Sequence, residues 1–167
     1  MRCLPSVVVP VAAALLLTAC SADSSQPPSA DGTHVVGPVE DPGGIQDPGA
    51  RADAEGVAES VAVLLPALGR GDGPRSCSLM ARAAQDELTR LTGAESCVEA
   101  VQAYAAQLEQ SDVEWLAGAR ASVVVLEGRR ARATIGPGEG TVPPRLVPLV
   151  GDRATFELIE GRWNLVV

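Results

Sequence analysis

The chain has 167 residues, 46% hydrophobic but only 2% aromatic, and its 21 acidic residues against 13 basic ones give a net charge of −8 at pH 7. Every basic residue is arginine; there is no lysine. An acidic chain with so few rings lacks both the basic surface and the stacking residues that nucleic-acid recognition draws on, so that partner class is set aside.

After Arg2 comes an apolar stretch, Val7–Leu17, of 11 residues that includes Pro10. A membrane-spanning helix needs about 20 apolar residues, so this length fits the hydrophobic region of an export signal. The run ends on Leu17-Thr18-Ala19-Cys20 and passes at once into Ser, Asp, Gln and Pro. That tetrapeptide resembles the lipobox of bacterial lipoproteins. The resemblance implies a signal peptide over residues 1–19, diacylglyceryl transfer to the Cys20 thiol, and cleavage before Cys20. The mature chain is then expected at the extracytoplasmic face of the cell membrane, held by its lipid. Two acyl chains anchor stably where one is marginal, at about 0.8 kcal/mol per buried CH₂.

Residues 20–53 follow as the lipidated Cys20 and an acidic tether. Ser21–Asp53 is poor in large apolar residues, rich in Pro, Gly, Ser and Asp, and carries six acids against Arg51. Such a segment buries too little to offset its ordering entropy and is expected to be disordered. As a flexible coil it has a reach of about 30 Å.

Of the four cysteines, Cys3 falls in the signal and Cys20 takes the lipid, leaving Cys77 and Cys97. In an exported domain an even pair is expected to be bridged. A metal site would need about four ligands, and the single histidine, His34, lies in the tether far from either cysteine along the chain. No metal or cofactor is expected.

Residues 54–167 are enough for one domain with one core. Val57, Val61, Leu64, Leu65 and Leu68 keep the spacing of an amphipathic helix, with Pro66 expected to kink or shorten it and the glycines after Leu68 to end it. A second helix is expected from about Cys77 to Leu91, with Met80, Ala84, Leu88 and Leu91 on one face and Gly93 as its stop. Ser96-Cys97-Val98-Glu99 reads as a capping box opening a third helix through Val101, Tyr104, Ala105 and Leu108. On this reading Cys77 and Cys97 stand at the starts of consecutive helices.

From Ala121 the period changes to two. SVVVLEGRRARATI reads as a hairpin turning at Glu127-Gly128-Arg129, with Ala131, Ala133 and Ile135 on one face and Arg130, Arg132 and Thr134 on the other. LVPLV is expected as an edge or interrupted strand because of Pro148. ATFELI and RWNLVV form a last hairpin turning at Glu160-Gly161.

Helices followed by hairpins make an α+β domain, with N-terminal helices packed on one face of an antiparallel sheet. The ending ELIEGRWNLVV is similar to the final hairpin of the nuclear-transport-factor-2-like superfamily, which implies a curved sheet wrapped around helices. Together with the lipobox, the acidic tether, LLPALGRGD and the Cys77/Cys97 pair, the chain resembles small secreted lipoproteins of high-GC Gram-positive bacteria. Enzymes of that superfamily work inside the cone with Asp, His or Tyr. Here residues 54–167 hold no histidine and one tyrosine, Tyr104, and the inward strand positions read as Ala, Ile, Phe, Leu and Trp, so catalysis is not expected.

Three features remain. Tyr104, Trp115, Phe156 and Trp163 are all the aromatics, and they either line an apolar-ligand pocket or fill a core. Arg129, Arg130 and Arg132 cluster at one hairpin, either as a patch for an anionic partner or as a solvent-facing row paired with Glu127 and Glu157; the second is favoured. Arg70-Gly71-Asp72 spells an integrin tripeptide, but at a helix end where glycine is expected for other reasons. The reading is a non-catalytic interaction or ligand-binding module, its partner an envelope protein or an apolar ligand. A small enzyme acting on an apolar substrate is the alternative.

Overall fold

The computed structural model describes residues 31–37, 39, 46–136, 142–151 and 153–166; Cys20 and residues 137–141 lie outside these. The organising element is helix α1, Ala54–Gly69. Asp53 caps it, its Oδ1 accepting the Gly56 amide at 2.9 Å, and Glu55 lies in the first turn, where the helix dipole favours a carboxylate. Twelve of its residues are buried, among them Val57, Val61, Leu64, Leu65 and Leu68. Pro66 does not shorten it: the helix runs on to Gly69, because a proline one turn from the end removes a single hydrogen bond where few remain to be lost. The stop is a Schellman turn. Gly71, at φ +70°, donates to the Leu68 carbonyl and Asp72 to that of Ala67, a conformation that favours glycine.

The expected second helix is two helices. Helix α2, Gly73–Cys77, is capped by Asp72, and helix α3 spans Arg82–Thr92 and ends on Gly93 at φ +72°. Between them the chain leaves the helix through a turn at Ser78-Leu79 and is extended at Met80–Ala81, where its backbone hydrogen-bonds to a strand remote in sequence. Cys77 therefore ends a helix rather than starting one. Helix α4, Cys97–Ala105, begins as expected, with Ser96 Oγ accepting the Glu99 amide at 3.3 Å. Helix α5, Gln110–Gly118, was not anticipated from periodicity; it opens on a reciprocal box in which Glu109 and Asp112 accept each other's amides. LVPLV is likewise not a strand: Val147–Val150 is a short helix, α6, with Pro148 near its start, a position where a missing amide costs nothing.

The sheet has five antiparallel strands in sequence order: β1 Gly32–Val35, β2 Arg120–Glu127, β3 Arg130–Gly136, β4 Arg153–Ile159 and β5 Arg162–Val166. Both anticipated hairpins form, with a register shift between Ala121 and Val123. β1 corrects the tether. Disorder was expected across Ser21–Asp53, yet Gly32–Val35 pairs with β2 from Leu126 to Val123, and Asp47, Gly49 and Asp53 all make contacts with the domain. Composition describes what a segment can bury by itself; it does not register a ladder offered by residues some 90 positions away. On one sheet face Val124, Leu126, Ala131, Ala133, Ile135, Ala154, Phe156, Leu158, Trp163 and Leu165 join α1, α3 and α4 in a single core. The chain is thus α+β, with helices packed on an antiparallel sheet.

Candidate interaction surface

The Cys77–Cys97 pair is a disulfide, with Cα atoms 6.1 Å apart, inside the usual range of about 4.4–6.8 Å. It joins the end of α2 to the start of α4. In the chain-entropy account a loop of this length contributes about 3 kcal/mol. Its consequence is positional: α2 leads directly into Leu79–Ala81, so the staple fixes the strip that lies along β5.

The aromatics are core. Trp163 is 0% and Phe156 1% exposed; Tyr104 is buried, and Trp115 is half-buried against the same cluster. The Tyr104 hydroxyl donates to the Arg145 carbonyl at 2.8 Å. Burial, with a smaller contribution from the charge of Asp112, pushes this phenol up to about 12, so it stays protonated at neutral pH and keeps that bond. Asp112 is a buried carboxylate that sequence reasoning missed. Its signal was there, in Glu109-x-x-Asp112, a box of the capping type in which Asp112 Oδ2 takes the Glu109 amide at 3.0 Å. Arg145 closes the same corner, bonding the Gln107 carbonyl and Glu109. Trp115 Nε1, Trp163 Nε1, Ser76 Oγ and His34 Nε2 are enclosed without a hydrogen-bond partner among the described residues.

By strand alternation the outer sheet face carries Val123, Val125, Arg130, Arg132, Thr134, Arg153, Thr155 and Glu157. The three clustered arginines do come together at the β2–β3 hairpin. Arg132 is ion-paired with Glu127, Arg129 donates to the Leu158 carbonyl at 2.6 Å, and Arg130 stands opposite Glu157 in register. The exposed Arg132–Glu127 pair offsets one charge of the row and contributes little stability. In the Arg70-Gly71-Asp72 turn the Asp72 carboxylate is occupied by the Arg75 amide, so the tripeptide is a helix connection.

Two surface depressions are of modest size. One of about 190 Å³ is lined by Asp47, Arg75, Ser78, Leu79 and Arg162, among others. Another of about 180 Å³ lies between α6 and Arg153, Thr155 and Val166. Both are below the roughly 300–1,000 Å³ of small-molecule pockets. Among the described residues no cluster of His, Cys, Asp and Glu could hold a metal, and no helix is long and apolar enough to cross a membrane. No family model, curated protein or solved structure matches the chain.

Proposed function

We propose that the chain is a membrane-anchored extracytoplasmic lipoprotein whose single domain is a nuclear-transport-factor-2-like module that binds a partner, an envelope protein by preference, through its surface rather than through a ligand-filled cone. The anchor rests on Leu17-Thr18-Ala19-Cys20. The mode of binding rests on one observation: α1 packs on the inner face of the sheet, with Val57, Val61, Leu64 and Leu65 at 0–1% exposure in one core with Phe156, Trp163 and Leu165. A cavity for an apolar ligand would have to displace those side chains. With the inner face filled, recognition is left to the outer face and the edges.

The test has two arms. Cys20→Ser should abolish acyl labelling and leave unprocessed precursor; normal processing and membrane retention in that variant would defeat the anchor. A panel of lipids and steroids should leave the melting temperature of the wild type unchanged, whereas a saturable stabilisation would move the reading to a ligand-binding cone. One observation favours the enzyme as a second reading, with an apolar substrate: a buried carboxylate, Asp112, lies close enough to a buried phenol, Tyr104, to perturb it. If that pair is catalytic, Asp112→Asn should remove turnover of an apolar substrate with the fold intact; if it is a cap, the variant loses stability instead.

A further inference from the structure

The two edges of the sheet present the same backbone chemistry and meet different fates. In β5 the residues whose backbone groups point away from β4 are Trp163 and Leu165. The Trp163 amide donates to the Gly49 carbonyl and the Leu165 amide to that of Leu79. The Leu165 carbonyl accepts from Ala81 and the Trp163 carbonyl from Ser60 Oγ. All four groups are satisfied. In β1 the Val36 amide donates to the Ser122 carbonyl, which sets the parity of the antiparallel ladder: Gly32, His34 and Val36 face β2, while Thr33 and Val35 face away. Among the described residues nothing bonds those two amides and two carbonyls. Nor does the edge carry the usual protection. Gly32-Thr33-His34-Val35 has no proline, lysine or arginine, and Val35 is 86% exposed. Such an edge is a template for strand addition.

From this we infer that β1 pairs antiparallel with β1 of a second copy, about a two-fold axis through His34, to make one continuous ten-stranded sheet. The register follows from the hydrogen bonds. With Thr33 opposite Val35 of the partner, and Val35 opposite its Thr33, the four open groups of each chain find four in the other. Registers centred on Thr33 or Val35 reach outside the strand for partners. Self-complementarity favours a second copy: the open groups of Thr33 and Val35 lie symmetrically about His34, so the strand meets its own donors and acceptors with none left over. Two chains of net charge −8 repel, and residues 32–37, Gly-Thr-His-Val-Val-Gly, form a strip without acid or arginine through which like chains can meet. A closed two-fold also leaves no free β1 edge to propagate further. Pairing of four residues buries far less than the roughly 1,000 Å² of a stable dimer, so the association is weak in dilute solution and grows with concentration. It holds whether or not Cys20 is lipidated.

In this register His34 faces itself as a non-hydrogen-bonded pair with Cα atoms about 4.5 Å apart, within disulfide range. Thr33→Cys and Val35→Cys would not face their own kind. Each substitution is made singly in the full chain, which is then mildly oxidised and run on non-reducing gels beside wild type to account for native cysteines. The expected result is a dimer about tenfold more abundant for His34→Cys than for wild type or the other two variants. Adding Val35→Pro removes only an outward amide and should reduce the His34→Cys crosslink about tenfold with the circular-dichroism spectrum unchanged. Sedimentation of wild type should show a concentration-dependent dimer that Val35→Pro lacks. Equal crosslinking at all three positions, a crosslink to a different protein, or a wild-type chain that sediments as a monomer at every concentration would each overturn the pairing.

Discussion

β5 and β1 are edge strands of one sheet, of five and four residues, and differ chiefly in what the rest of the chain lays beside them. Three segments far apart in sequence converge on β5: Gly49 from before α1, Ser60 from within it, and Leu79–Ala81 between α2 and α3. The fit is close. A Cβ on Gly49 would stand 2.2 Å from Ser60 Oγ and 3.2 Å from the Trp163 carbonyl oxygen, so only glycine allows that approach. Near β1 only β2 supplies partners among the described residues. Edge protection is thus a tertiary property here, and the side of the molecule that receives it is the side that carries the disulfide and the largest core residues.

That contrast can be broken most forcefully at Trp163. Trp163→Ala should cost about 3–5 kcal/mol, from lost burial plus a residual cavity. Against a total of about 5–15 kcal/mol that leaves a marginal or unfolded domain. Thermal unfolding decides it, and a variant of near-native stability would mean that the closed side is not the stabilising one. Reduction of Cys77–Cys97 is next. It should lower stability by about 3 kcal/mol, read as a shift of the urea midpoint, and hydrogen exchange at Leu165 should quicken as α2 loosens.

A smaller effect belongs to Asp53, where the former tether enters α1. Burial opposes ionisation of this carboxyl, but the Gly56 amide and the Arg51 guanidinium outweigh it and hold its pKa below the ordinary aspartate value. With the native pKa lowered, the native state binds the proton less readily than the unfolded one. The stabilisation is therefore present above the ordinary aspartate range and is lost as pH falls through the lowered native value. Asp53→Ala should cost about 1 kcal/mol at neutral pH, and the gap from wild type should narrow in acid; a pH-independent gap would argue against the charged cap. The smallest effect is expected on the open side. Val35→Thr, at an exposed side chain whose backbone groups point away from β2, should change stability by no more than about 0.5 kcal/mol.

Much of this was legible along the chain wherever the interactions are local or periodic. The spacing of Val57, Val61, Leu64, Leu65 and Leu68 gave α1, Ser96 gave the start of α4, and alternation with glycine-bearing turns gave both hairpins and the inward faces of Ala131, Ala133, Phe156 and Trp163. The pairing of Cys77 with Cys97 followed from counting. Tertiary contacts decided the rest. Leu79–Ala81 interrupts a good helical pattern because Leu165 offers it hydrogen bonds that a helix would forgo. Val147–Val150 turns helical at a proline that alternation alone would place in a strand. Asp112 is buried by the packing of α5, a helix that no apolar periodicity announces. β1 arises from a stretch whose composition predicts no structure, since a strand's stability resides in its neighbour's unpaired groups, and a single sequence carries no mark of which distant segment will supply them.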